Sequence, residues 1–259
     1  MYTPLQLREI FHIEFLRWFG RSVKAGRYAV KGGVNLRFFY KSVRYSEDMD
    51  LDVNSITVVA LKDAVMDILL SGSFATGLKP FGIERIVPPD MGKAKQTETT
   101  QRFKAHLITV SGEDLFTKVE FSRRGFKGAI EVRPVDDAIV RAYRVAPVIV
   151  SHYDAPSAIH QKIIALATRS SVQARDIFDL HVLGTQHEPS VLNKKDLGPE
   201  ILSKAYENVF EVGFGQFRDS VLAYLSDDDR AVYDSQAVWD DMKLKVSGLI
   251  DGLRKADGR

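Results

Sequence analysis

The stretch RYSEDMDLDV, residues 44–53, sets Asp48, Asp50 and Asp52 at every second position, between Met49, Leu51 and Val53. In an extended chain alternate residues share a face, so the acids stand together on one side while the apolar residues enter a core on the other. Carboxylates spaced in this way can share a divalent cation and repel each other without one. An edge strand with a solvated outer face is the competing reading. A calcium loop is excluded, because Val53 occupies the place of the turn glycine and Val59 that of the bidentate glutamate. A further acid, Glu120, lies in the run TKVEFSRRG, with Val119 and Phe121 on the opposite face. Taken alone it reads equally as an exposed strand glutamate.

Upstream of the aspartates, RYAVKGG reads as a short strand ending at Gly32 and Gly33, and VNLRFFYKS as a short helix. Between a strand and a helix, glycines let backbone N–H groups and the helix N-terminus approach a phosphate, although a glycine pair by itself is common. The run TPLQLREIFHIEFLRWF predicts a helix with Thr3 as N-cap, Pro4 in the first turn, Gln6 closing a capping box, and an apolar stripe through Leu7, Ile10, Phe11, Phe15 and Leu16. A second amphipathic helix is expected over TVVALKDAVMDILLSG, with Val59, Leu61, Val65, Ile68 and Leu69 near one side and Gly72 as its stop. RFKAHLITV and LFTKVEFS alternate as neighbouring antiparallel strands joined at SGED. Beyond residue 151 the helical runs APSAIHQKIIALATRSS, ARDIFDLHVLG, PEILSKAYENVFEV and GQFRDSVLAYL dominate. The expectation is therefore an α/β domain over 1–150 and a helical domain over 151–259.

Composition restricts the chemistry. With 259 residues, 45% of them hydrophobic, the chain can bury two cores, and a net charge of +2 confines any basic surface to a local patch. There is no cysteine, which removes disulfides, thiolate catalysis and cysteine-ligated metal sites. No stretch approaches the roughly 18 apolar residues of a membrane span, and the N-terminus lacks a secretory pattern. A soluble, unprocessed, cytoplasmic protein without a membrane partner is expected.

The glycine pair in KGGVNLRFFYKS followed by RYSEDMDL resembles the signature of the DNA polymerase β-like nucleotidyltransferase superfamily, and within it the AbiEii/AbiGii toxin family, which includes the MenT-like toxins. In that pattern a glycine pair, a helix and then S-x-D-x-D follow in order, here Gly32, Gly33, Ser46, Asp48 and Asp50. The resemblance implies an α+β fold: a polymerase β-like nucleotidyltransferase domain with a mixed, largely antiparallel sheet and flanking helices, followed by an all-helical C-terminal domain. It assigns Glu120 as a third carboxylate, so that Asp48, Asp50 and Glu120 would hold two Mg²⁺ ions, or Mn²⁺ in their place. It also carries a helical lysine and a following Arg-Asp pair, here Lys162, Arg175 and Asp176. Lys162 is then expected at the triphosphate and Arg175 on the nucleotide. Asp176 either orients substrate or forms a structural ion pair with Arg175, Lys162 or Arg169. Many members of the superfamily carry Gly-Ser where this chain has Gly32 and Gly33, which leaves phosphate binding to backbone amides.

What the family does implies transfer of a nucleotide, with pyrimidine favoured, from an NTP to the 3′ acceptor end of tRNA, and a cognate antitoxin as partner. Arg123, Arg124, Lys127, Lys162, Arg169 and Arg175 offer a modest basic patch for RNA, or else a solvated surface. Phe126, Tyr143 and Tyr153 either stack on a terminal base or fill core space, and the scattered His106, His152, His160 and His181 show no metal-ligand spacing. Two alternatives stay open: nucleotidylation of a protein or small molecule, and a catalytically silent nucleic-acid-binding protein of the same fold.

Overall fold

The computed structural model describes residues 2–187 and 197–256. The chain forms two compact units, one holding residues up to Phe39 together with Tyr45–Tyr153, the other Tyr40–Arg44 together with the chain from Asp154 onward.

In the first unit, α1 (Pro4–Ser22) starts at the capping box in which Thr3 accepts from the Gln6 N–H and Gln6 Oε1 accepts from the Thr3 N–H. Its apolar side, through Phe11, Phe15, Leu16 and Phe19, is fully buried. Then come β1 (Tyr28–Lys31), α2 (Gly32–Phe39) and β2 (Met49–Val53). Next are α3 (Val58–Leu69), α4 (Gly72–Leu78), β3 (Ile83–Val87), β4 (Thr100–Thr109) and β5 (Asp114–Ser122). The unit closes with β6 (Ile130–Pro134), α5 (Asp137–Tyr143) and β7 (Ile149–Tyr153). Gly72 is a correction: it opens α4, with the Ser71 hydroxyl capping the Phe74 N–H, rather than simply stopping the preceding helix. Val59 is another, since at 60% exposure it lies off the apolar side of α3 that Leu61, Val65, Ile68 and Leu69 bury. The first follows from the polar break at Ser71, after which a further short helix begins; the second follows from position, since Val59 lies two residues before Leu61 and so about 200° away around the helix.

The seven strands form one open sheet in the order β3-β4-β5-β2-β1-β7-β6, antiparallel except for the β5/β2 and β1/β7 pairs. Alternation sends Met49, Leu51, Val119, Phe121 and Phe103 to the face covered by α1, where Phe19 meets Tyr28 and Phe121 edge-on or tilted. Each such side chain, fully buried, contributes about 1.5–3 kcal/mol of hydrophobic stabilisation. The opposite face is left to the polar residues of the same strands.

The second unit contains α6 (Ala155–Thr168), α7 (Ala174–Gly184), α8 (Pro199–Phe210), α9 (Phe214–Ser220), α10 (Asp227–Tyr233) and α11 (Gln236–Ala256). Its core stacks Phe217 on Trp239 with centroids 4.4 Å apart, and the indole N–H of Trp239 donates to the Val212 carbonyl. Gly184 allows α7 and α11 to approach, because a Cβ there would meet Leu249 at 2.6 Å.

Candidate active site

Strand register decides which polar residues meet. Asp50 pairs with Lys31 across β1 and with Glu120 across β5, and Glu120 pairs with Arg102 across β4. Directly paired residues share a face, so one row across the sheet reads Lys31, Asp50, Glu120, Arg102. Asp48 lies just before β2, and Lys118, two residues before Glu120, spans the next position: its Nζ is 3.1 Å from Asp48 Oδ2 and 3.6 Å from Glu120 Oε2. The structure thus brings Asp48, Asp50 and Glu120 together at the head of α2.

Gly32 belongs to this arrangement through its backbone. Its φ of +65° lies in the left-handed region, and a Cβ on it would stand 3.4 Å from Asp50 Oδ2. A side chain would thus be strained there by the backbone and would lie in contact with the carboxylate. Burial, together with the charges of Glu120 and Asp48, raises the Asp50 pKa above the usual carboxylate range against the pull of Lys31 and Lys118. For Lys118, burial opposes the charged form, but the hydrogen bond and charge of Asp48, with Glu120 and Asp50, outweigh it and raise the pKa.

The backbone leading to the acids is held from below. Ser46 Oγ donates to the Asp48 carbonyl at 2.8 Å, and Thr117 Oγ1 donates to the Glu47 carbonyl at 2.6 Å. Because Thr117 has a single hydroxyl proton and the carbonyl takes it, His12 Nε2, 3.0 Å away, must be the donor to Thr117 Oγ1. His12 is therefore the neutral Nε2–H tautomer, in keeping with a pKa lowered to about 3 by burial and by the nearby Arg8 charge. On the far side of Asp50, Asp52 is buried, accepting from Lys31 Nζ at 2.6 Å and from Tyr153 Oη at 2.6 Å. Asp52 is thereby neutralised within the sheet, and the hydroxyl of Tyr153 is committed there.

The acids suit a divalent cation. They are hard oxygen donors, Asp48 Oδ1 is buried without a hydrogen-bond partner, and the Asp50 carboxyl accepts no hydrogen bond among the described residues. With Glu120 engaged by Arg102 and Lys118, the described residues contain no ready-formed group of three ligands.

A family model for the nucleotidyl transferase AbiEii toxin of type IV toxin–antitoxin systems matches residues 14–248. The chain belongs to the AbiEii nucleotidyltransferase toxin family. It is an enzyme of that class, with a nucleotide substrate and a cognate antitoxin, and none of its described helices is long and apolar enough to cross a membrane. Among solved structures it is similar to MenT4, the nucleotidyltransferase toxin Rv2826c from Mycobacterium tuberculosis H37Rv, with TM-score 0.61, 16% identity, and coverage of 96% of this chain and 84% of that one. It is also similar to a putative nucleotidyltransferase from H. pylori, with TM-score 0.57, 18% identity, and coverage of 99% and 97%. JHP933 from Helicobacter pylori gives TM-score 0.56, 16% identity, and coverage of 99% and 94%. At these identities the likeness is one of fold. No curated protein matches the chain.

The other residues assigned by resemblance lie in the helical unit of this AbiEii toxin. Lys162 is buried on α6, with Nζ 3.0 Å from Asp176 Oδ1 and 2.6 Å from Asp179 Oδ2. Arg44 Nη2 donates to both Asp179 oxygens at 3.0 and 3.1 Å, and Arg169 Nε stands 2.7 Å from Asp176 Oδ2 as an ion pair without hydrogen-bond alignment. The cluster sets three cations against two acids, and within it Asp176 pairs with Lys162 and Arg169 and not with Arg175. Arg175 lies on the exposed side of α7 and makes no ion pair among the described residues. Arg123 donates to Gln101 Oε1 and to the Ile56 carbonyl, so this cation from the basic patch serves as a tie within the α/β unit. Tyr143 is buried and donates to Glu9, and Phe126 packs edge-on against Tyr153.

Residue reading alone missed Lys118, Arg102, His12 and Thr117. Arg102 left a signal: it and Glu120 are equidistant from Ser111 in the turn, which fixes the hairpin register. His12 and Thr117 left none, because an apolar helix face and an alternating strand disguise them.

Proposed function

We propose that this toxin transfers a nucleoside monophosphate, pyrimidine favoured, from an NTP to the 3′ acceptor end of tRNA in the cytoplasm, and so blocks translation. The observation that carries the proposal is the in-register meeting of Asp50 and Glu120, with Asp48 beside them, at the glycine-headed α2. The acceptor 3′-hydroxyl oxygen gives up its proton to solvent and forms a bond to the α-phosphorus, the α–β phosphoanhydride bond breaks, and pyrophosphate leaves with its electron pair. Asp48, Asp50 and Glu120 would hold divalent metal, Mg²⁺ or Mn²⁺, which supplies charge neutralisation for the triphosphate and the leaving group. The backbone N–H groups at Gly32 and Gly33 bind phosphate oxygens, with no side chain in the way. Ser46 sets the Asp48 backbone and keeps hydroxyl lone pairs for a donor from the nucleotide. By the resemblance, Lys162 contacts triphosphate, Asp176 orients the Lys162 ammonium, and Arg175 meets the nucleotide.

The test uses each of the four NTPs labelled at the α-phosphate, incubated with total RNA, with protein and with aminoglycosides, with and without Mg²⁺. The expected result is Mg²⁺-dependent label in RNA of tRNA size, strongest from CTP or UTP. Label found only in protein, or only in the aminoglycoside, overturns the tRNA proposal. Lys162→Arg is expected to raise KM for the NTP more than it lowers kcat.

A further inference from the structure

Two cations already occupy the acid trio. Glu120 Oε2 lies 2.5 Å from Arg102 Nε, Glu120 Oε1 lies 3.5 Å from Arg102 Nη2, and Lys118 Nζ reaches both Glu120 Oε2 and Asp48 Oδ2. What remains unclaimed among the described residues is Asp48 Oδ1, buried and without a hydrogen-bond partner, and the Asp50 carboxyl, which accepts no hydrogen bond.

We propose that Lys118 and Arg102 are built-in counter-ions that keep Glu120 out of the metal-binding set in the nucleotide-free protein, so that a divalent ion is first held by Asp48 and Asp50 alone. This inference rests on the metal-dependent reading above.

Strand geometry makes the arrangement persistent. Arg102 is cross-strand from Glu120 and Lys118 is two residues from it on the same strand, so both cations are delivered to the acid by the sheet itself. Lys118, at 23% side-chain exposure, is the better shielded from solvent, whereas Arg102, at 42%, is the one that an incoming anion can draw away. A divalent ion arriving at three carboxylates and two fixed cations meets one net negative charge instead of three. Since ligand charge and ligand number set the affinity for such ions, the resting site is weaker than its acid count implies. Glu120 joins the set once triphosphate competes for Arg102 and Lys118, which couples the third carboxylate to the presence of substrate.

The experiment titrates nucleotide-free protein with Mn²⁺ and reads the free ion by electron paramagnetic resonance. Asp50→Asn is expected to weaken Mn²⁺ binding at least a hundredfold, whereas Glu120→Gln changes it by less than threefold. Lys118→Gln is expected to tighten it at least tenfold by freeing Glu120, and most of that gain disappears in the Lys118→Gln/Glu120→Gln double variant. Arg102→Gln, at a half-exposed position, shifts affinity the same way by at least threefold and stands in if Lys118→Gln does not fold. A tenfold loss in Glu120→Gln alone, or unchanged affinity in both cation variants, overturns the inference while the reading of Asp48 and Asp50 stands. Unchanged binding in Asp50→Asn defeats that reading and the inference with it.

Discussion

Asp50 is a carboxylate that folding buries beside Glu120 and Asp48, against the pull of Lys31 and Lys118, and to which no described residue donates a hydrogen bond. A carboxyl whose pKa rises on folding holds its proton more tightly in the native chain, so its destabilising effect is absent in acid and grows as pH rises through the ordinary carboxylate range. Such a residue is retained for what it does. Asp50→Asn is therefore expected to raise Tm by about 2–4 °C, equivalent to about 1 kcal/mol, while lowering nucleotidyl transfer by about a thousandfold or more. Calorimetry and the labelled-NTP assay check the two halves separately, and a fall in Tm would show that Asp50 stabilises the sheet. The acids were legible because a period of two on either side of apolar residues is a local pattern. Lys118 was not, and Arg102 only through the hairpin register, since a strand lysine and a strand arginine look solvated until strand pairing places them on Glu120.

Elements carry the next level of support. The junction of α1 with β5 puts a neutral His12 beneath the Glu47 carbonyl, through Thr117, immediately before the first acid. The unfolded chain takes up a proton on this histidine below its ordinary value of 6.5, and the native one only near about 3, so stability falls with falling pH between them. The slope is about 1.4 kcal/mol per unit from this group, or about 2 kcal/mol lost on going from about pH 7 to about pH 5. His12→Gln, which keeps an N–H donor for Thr117, is expected to lack that increment, and urea midpoints at the two pH values measure it. In the helical unit the sign is the same but the window lower. Arg44 and Lys162 hold the Asp179 carboxyl below its usual range against its burial, and that contribution is lost only as pH falls through the carboxylate region. Asp179→Ala removes the acid that Arg44 and Lys162 share, leaving Lys162 with Asp176 alone, and is expected to cost about 3–5 kcal/mol, read as a fall in the urea midpoint. Helix stripes and strand alternation announced most elements, whereas the break at Ser71 was hidden because Gly72 serves as well to begin a helix as to end one.

At the scale of the whole molecule, the chain leaves its α/β unit at Tyr40, spends Tyr40–Arg44 in the helical unit, and returns at Tyr45. Composition showed a change of character near residue 150, but nothing local marks Arg44 as the partner of Asp179, 135 residues away. The helical segment from Asp154 onward, expressed by itself, lacks both Arg44 and the Tyr40 carbonyl that accepts from Gln186. It is expected to give a broad, low-midpoint unfolding transition, sharpened when a peptide carrying residues 40–44 is joined to it. The sheet order has a comparable long reach. Its middle strands β2 and β1 are each flanked by strands made later, β5 and β7. A chain still emerging from the ribosome has its aspartates early and their glutamate only after residue 120, with the sheet completed after residue 153. An unfinished copy of this nucleotidyltransferase therefore lacks its third carboxylate, and the acid trio can assemble only in chains made well past residue 120.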